Sequence, residues 1–335
     1  MNRAVKLLLG VVVSALCVWL SMREVNPREV FEVLRHSNGV LFAALMGLTL
    51  LGFWIRAVRW KSFMAARQAP RLPSLYSATM IGFMANNVLP FRLGEFVRAW
   101  ALARRERLSN TMVLATVVVE RVVDMLTLLG IMGLTLFLHP VSAGSGWGKL
   151  VHGVGPLLIG ASAAITLALV LLERKPARAR ALVAQLSSRL PERHRRKGVA
   201  ALDHFVAGLS LFRDVPRLVW VFVLSFLMFG VFALGLQASA EALQLHLPWH
   251  AGLTLLVVTA IAIMVPAAPG YIGTMTGAYV IGLELFGVHD KALANSVSWF
   301  YWAGQWLPVT VVGLWFLHRE GLSLRALGQA QEHAA

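Results

Sequence analysis

Met84-Ala85-Asn86-Asn87-Val88-Leu89-Pro90-Phe91-Arg92-Leu93-Gly94-Glu95-Phe96-Val97-Arg98 is the stretch whose reading decides the fold. It lies between two apolar arms, residues 75–89 and 91–103, each shorter than the roughly 20 residues that a spanning helix needs. Backbone at membrane depth has to satisfy its own hydrogen bonds. An interruption carrying Asn86, Asn87, Pro90, Gly94 and the charges of Arg92, Glu95 and Arg98 is therefore tolerated only inside protein or along a watery cavity. The stretch reads as the tip of a broken, re-entrant helical hairpin, and such a tip points to transport or lipid handling.

Outward from this hairpin, the chain of 335 residues is 58% hydrophobic and 14% charged, with apolar runs from end to end. That composition departs far from a soluble domain and defines an all-α polytopic membrane protein. The net charge of +15 would suit nucleic acid, but Lys and Arg cluster between the apolar runs, where the positive-inside bias and anionic lipid account for them. Nucleic-acid binding is set aside. The single cysteine, Cys17, excludes an internal disulfide framework and a multi-cysteine metal site. Arg3 and Lys6 precede an apolar run like that of a secretory signal, yet no small-x-small cleavage site follows Leu20, so the run reads as an uncleaved first span.

Six spans are expected, at residues 5–21, 38–58, 111–138, 151–172, 218–240 and 292–317. A second broken pair, 251–266 and 270–287, turns around Pro269-Gly270-Tyr271-Ile272-Gly273. The second span leaves through Arg56, Arg59, Lys61, Arg67 and Arg71, with Trp54 and Trp60 suited to an interfacial belt. The first hairpin leaves through Arg104, Arg105 and Arg107, and the polar segment 173–217 is Arg-rich with a surface helix expected near 199–212. If both broken pairs are re-entrant, every strongly basic connector and both termini fall on the cytoplasmic side. Each arm could instead be a complete short span without changing the orientation of any other element.

Sliding the sequence by 179 positions puts Pro90 on Pro269, Gly94 on Gly273, Leu114 on Leu293 and Ala115 on Ala294. The chain thus reads as one membrane domain, 1–335, with a first unit at 5–138 holding hairpin 75–103 and a second at 151–317 holding hairpin 251–287. Each unit has an odd number of crossings, so the second is inverted and the two tips can meet near the midplane.

Arg92 and Glu95, and Glu95 and Arg98, are three apart and neighbours on a helical arm. Glu120, Arg121 and Asp124 stand well inside the third span, where an ionisable side chain costs roughly 2.5–3.5 kcal/mol on insertion scales and marks a functional-site candidate. Two readings are open for these charges, a structural tie between hairpin and span or a substrate site. Pro90 and Gly94 open the second arm, where free N–H groups and a positive dipole end could hold an anion beside Arg92 or Arg98. Pro269, Gly270, Tyr271 and Gly273 offer the same backbone arrangement without charge, or a plain helix break. Glu284 is a further intramembrane candidate near the outer surface. No nucleophile with an adjacent base, phosphate loop or metal-spaced His pair is found, so neither an enzyme nor a cofactor is expected.

Asn86-Asn87-Val88-Leu89-Pro90-Phe91-Arg92-Leu93-Gly94-Glu95 with Arg98, then Glu120-Arg121 with Asp124, then Ala268-Pro269-Gly270-Tyr271-Ile272-Gly273-Thr274 resemble the flippase-like membrane domain of lysylphosphatidylglycerol synthases and their stand-alone relatives. The resemblance covers residues 5–318 and implies a protein of the bacterial-type inner membrane that moves lipids between leaflets. Those synthases carry a soluble aminoacyl-transferase domain after the membrane part, so aminoacyl transfer is not expected of a chain that ends at Ala335. Some stand-alone relatives carry glycosyltransferase labels, for which these residues offer no nucleotide-binding carboxylate motif.

The resulting expectation is a lipid translocase. A phospholipid or polyprenyl-phosphate lipid would be held between the tips by Arg92, Arg98 and helix-start amides, with Glu95, Glu120, Arg121 and Asp124 supporting or gating. The alternatives are a transporter of a small anionic solute and a membrane subunit that docks a cytoplasmic enzyme on residues 174–197. Partners expected are a membrane lipid with an anionic head group, that cytoplasmic protein, or a second copy of the chain.

Overall fold

The computed structural model describes residues 35–64, 70–88, 94–138, 214–263 and 271–322 continuously, with isolated residues in 28–32 and 156–203. Scattered residues alone are described of the span 151–172, the basic loop 174–197 and the surface helix 199–212, and the expected span 5–21 lies outside the described residues. So do Pro90, Arg92, Pro269 and Gly270. The described regular structure is helical throughout.

Among the described residues eight helices carry the fold: α1 Gly39–Phe63, α2 Leu72–Val88, α3 Gly94–Glu106, α4 Asn110–Leu138, α5 Val215–Glu241, α6 Ala251–Ile263, α7 Ile272–Glu284 and α8 Lys291–Arg319. Side-chain caps start three of them. Asn38 accepts from the N–H groups of Val40 and Leu41, Asp214 from that of Arg217, and Asp290 from those of Ala292 and Leu293, each satisfying donors left open in a first turn.

By length and composition α1 and α5 are apolar enough to cross a membrane. α4 and α8, each of 29 residues, extend for about 43 Å at 1.5 Å per residue and exceed a hydrocarbon core of about 30 Å. α7, bounded by Tyr271 and Leu285, has 13 residues and reaches only about 20 Å. α2 packs on α3, and α6 on α7, so each broken pair folds back on itself.

Shifted by 179 positions, Leu72 at the start of α2 falls on Ala251 at the start of α6, and Gly94 falls on Gly273, one residue into α7. The packing follows the same exchange. α2 lies on α8 as α6 lies on α4, α1 on α8 as α5 on α4, and α1 on α2 as α5 on α6, while α1 and α5 pack on each other. Large apolar residues of α5 and α8 such as Leu227, Leu234, Trp315 and Val311 point outward, as helices facing hydrocarbon rather than water require.

Two expectations are corrected here. α1 runs on to Phe63 instead of ending near residue 58, and Arg56 and Arg59 are buried inside the fold rather than exposed at a helix exit. Trp60 is not an interfacial residue either. It is fully buried, donates from Nε1 to Thr116 Oγ1 at 3.0 Å, and carries the Arg98 guanidinium over its ring at 4.4 Å.

Candidate functional site

The site is assembled from α1, α3 and α4. On α4, Glu120 and Asp124 stand one turn apart and share cations. Glu120 Oε1 accepts from Arg56 Nη1 at 2.7 Å, Arg59 Nη2 at 3.2 Å and Arg121 Nη2 at 3.0 Å, and its Oε2 accepts from Arg98. Asp124 pairs with Arg59 at 2.6 Å, Arg121 at 3.1 Å and Arg56 at 3.2 Å. Glu120 and Arg59 are fully buried and Arg98 is 1% exposed. A buried carboxylate is tolerated only with such partners; Arg56 and Arg59 tie α1 to α4, Arg98 ties α3 to it, and Arg121 pairs within α4.

The expected ridge of Glu95 with Arg98 does not form as an ion pair. Arg98 turns inward to Glu120, and Glu95 lies 3.7 Å from Arg121 instead. Spacing of three places two side chains on one face, but burial decides which partner each takes.

The expected open amide at Gly94 is corrected as well. Its N–H donates to Asn86 Oδ1 at 2.8 Å, so this helix-start donor is taken by the preceding arm. Gly94 has no room for a side chain, because a Cβ there would strike the Gly82 carbonyl and the Asn86 amide. Asn87 reaches across the fold and donates to Thr310 Oγ1 on α8 at 3.0 Å, pinning the first tip to the second unit.

A cavity of about 410 Å³ is lined by residues of all eight described helices. Its charged and polar lining comes from Arg56, Glu95, Arg121, Asp124, Asn86 and Asn87, and its apolar and aromatic lining includes Phe53, Phe232, Met275, Trp302 and Trp306. Trp302 and Trp306 stack with ring centroids 5.5 Å apart. Among the described residues of the second turn, Tyr271 lines the cavity at a left-handed φ of 57°, while Gly273 is buried in the first turn of α7.

Of the residues singled out in the sequence, the structure thus gathers Asn86, Asn87, Glu95, Arg121, Asp124 and Tyr271 around the cavity, with Glu120 and Arg98 behind the wall. Glu284 closes the far end of α7, away from them. Arg56 and Arg59 were missed. Their signal is a spacing of three shared with Phe53, Trp60 and Phe63, which puts them on the inward face of α1. Among the described residues no group of three or more His, Cys, Asp and Glu is placed to hold a metal ion.

Short broken helices packed inside long ones, and a charged centre shielded from the outward apolar faces, define a helical membrane protein. More particularly, the chain belongs to the family of the lysylphosphatidylglycerol synthase TM region, whose sequence profile matches residues 7–325. Over 136 residues, 40% of the chain, it is 28% identical to the Glycosyltransferase AglD of Haloferax volcanii, and the chain spans only 22% of that relative's length. No solved structure matches it.

Proposed function

We propose that the protein moves a lipid with an anionic head group between the leaflets of a bacterial-type cytoplasmic membrane and is not itself an enzyme. The observation that supports this reading is the cavity, whose lining combines the guanidinium groups of Arg56 and Arg121 and the amides of Asn86 and Asn87 with apolar and aromatic side chains. A lipid has that same combination, a phosphate at one end and hydrocarbon at the other. Arg56 and Arg121 face the head group, while Arg59, Arg98, Glu120 and Asp124 hold the wall in place.

In this reading the chain has six spans and two re-entrant hairpins, the second unit inverted relative to the first, and the halves rock about the shared cavity to expose it to each leaflet in turn. Both termini and the Arg-rich connectors face the cytoplasm. The glycosyl transfer named for the relative belongs to that protein.

The cavity volume also favours a second reading. About 410 Å³ is within the range of roughly 300–1,000 Å³ that compact ligands occupy, so a soluble anion is the competing substrate. The test is reconstitution into liposomes carrying a fluorescent phospholipid, with leaflet exchange followed by quenching from outside. The protein should accelerate exchange over protein-free liposomes, and Arg121→Ala, which removes a charged partner from the cavity wall, should lower the initial rate about tenfold or more. Exchange no faster than in empty liposomes, with uptake of a soluble anion in its place, would overturn the lipid reading.

A further inference from the structure

α8 passes through Pro308. A proline inside a helix donates no N–H, and its ring crowds the carbonyl four residues back. Here that carbonyl belongs to Gly304. Thr49 Oγ1 of α1 lies 3.4 Å from it and 2.9 Å from the Leu45 carbonyl of its own helix, and its one proton can go to either. A neighbouring hydroxyl thus serves the freed carbonyl and leaves α8 able to bend at this point. Shifted by 179 positions, Pro308 falls on Leu129, so α4 has no matching hinge.

Beyond the hinge, α8 leaves the cavity lining, on which Val309 is its last residue. Next along the seam with α2, Asn87 donates to Thr310 Oγ1 at 3.0 Å. A Cβ at Gly313 would lie 2.3 Å from Met84 Cβ and 2.6 Å from the Met80 carbonyl, so the two helices meet there with no space between them. Leu317 then joins Ile81, Met84, Ala85 and Val97 of the first hairpin in a small apolar cluster separate from the main core. At the end of the seam the Glu320 carboxylate accepts from Ser77 of α2 and Arg105 of α3.

The ties differ in how easily they part. Glu120 is held by buried cations and cannot be released at small cost, and none of its partners stands on α8. The Arg105 side chain is 38% exposed and borders a second pocket of about 230 Å³ with Glu320. An ion pair within reach of water contributes little and re-forms readily.

From this contrast we infer that residues 309–320 form a gate, hinged at Pro308 and latched by Glu320, that closes the cavity toward the face of the protein where Arg105 lies. Release of Glu320 lets the arm swing off α2 and opens the seam, while the buried cluster of α1, α3 and α4 stays whole. The arm is about 18 Å long at 1.5 Å per residue. A bend of about 20° therefore carries its tip about 6 Å. The gate rests on the translocase reading for what passes through it but not for its motion.

The test is pulsed electron spin resonance on the full chain in lipid nanodiscs, in a Cys17→Ser background. Nitroxides are placed on cysteines at Arg107 and His318, and in a second sample at Arg107 and Leu307, on the near side of the hinge. Glu320→Ala should raise the population with a 107–318 distance about 6 Å longer by about threefold, as loss of an exposed ion pair allows. The 107–307 distance should stay fixed. Pro308→Ala added to Glu320→Ala should return the 107–318 distance to that of wild type, a recovery that general damage to the fold cannot produce.

A 107–318 distance unchanged in Glu320→Ala overturns the latch, and lengthening of both distances together overturns the hinge. Gate motion as described without leaflet exchange in liposomes sinks the translocase and leaves the gate standing. Leaflet exchange with an immobile arm does the reverse.

Discussion

The two hairpins share a backbone plan and differ in chemistry. The first, α2 with α3, is held by directional polar bonds at every level. Asn86 caps Gly94 at its tip, Asn87 reaches Thr310, Arg98 ties its second arm to Glu120, and Ser77 and Arg105 at its base both bond Glu320 at the end of α8. The second, α6 with α7, carries no charge between Ala251 and Leu283, and its arms meet through contacts such as those of Leu255 and Val258 around Gly282. Its entry is tied by Gln237, which donates to the Leu247 carbonyl and accepts from the Gly252 N–H. The first hairpin therefore contributes polar groups to the cavity lining through Asn86, Asn87 and Glu95, and the second contributes apolar ones through Leu256, Ile263 and Met275.

The sharpest way to break this contrast is at its most buried charge. Glu120→Ala leaves Arg56, Arg59 and Arg98 without their shared carboxylate and should cost about 3–5 kcal/mol, the range for removing one partner of a buried pair. The position 179 residues further on is Trp299, a half-buried aromatic packed edge-on to Trp302, and Trp299→Phe should be far milder. Loss of monodisperse protein and a lower melting temperature in detergent would register the first change. Equal behaviour of the two variants would mean that the charged cluster is no more essential than the aromatic packing at its counterpart position.

Smaller and opposite in sign is a pair of glycine substitutions. At Gly82 a Cβ would lie 2.5 Å from Arg98 Cβ and 2.6 Å from the Gly94 carbonyl, so Gly82→Ala forces the arms of the first hairpin apart and should cost about 1–3 kcal/mol. At Gly277, inside α7, a Cβ meets nothing within 4 Å. Gly277→Ala should be neutral or stabilise by up to about 1 kcal/mol through helix propensity. Thermal unfolding of both variants checks the difference in sign.

Much of this arrangement was legible beforehand, for physical reasons that also explain the gaps. Pro, Gly and Asn inside apolar runs mark helix breaks wherever they occur, so the hairpins and their offset could be read from spacing. Glu120 and Asp124 stood out because a carboxylate is conspicuous within an apolar run. Arg56 and Arg59 did not, since Arg near the end of such a run is the ordinary mark of a cytoplasmic exit, and only packing of α4 against α1 reveals their burial. The cap from Asn86 to Gly94 spans eight residues across a turn, and no local rule selects it over an open helix start. The pairing of Arg98 with Glu120 in preference to Glu95 likewise depends on which carboxylate is buried.

In the proposed translocase, two hairpins enter the membrane from opposite faces and share one cavity. The direct measurement is cysteine labelling with a membrane-impermeant maleimide, applied from each side, in a Cys17→Ser background with single cysteines at Arg71, Arg107, His246 and His289. Positions 71 and 107, at the two ends of the first hairpin, should label from one face, and 246 and 289, at the two ends of the second, from the other. Labelling of 71 and 107 from opposite faces, or of all four positions from the same face, would contradict it.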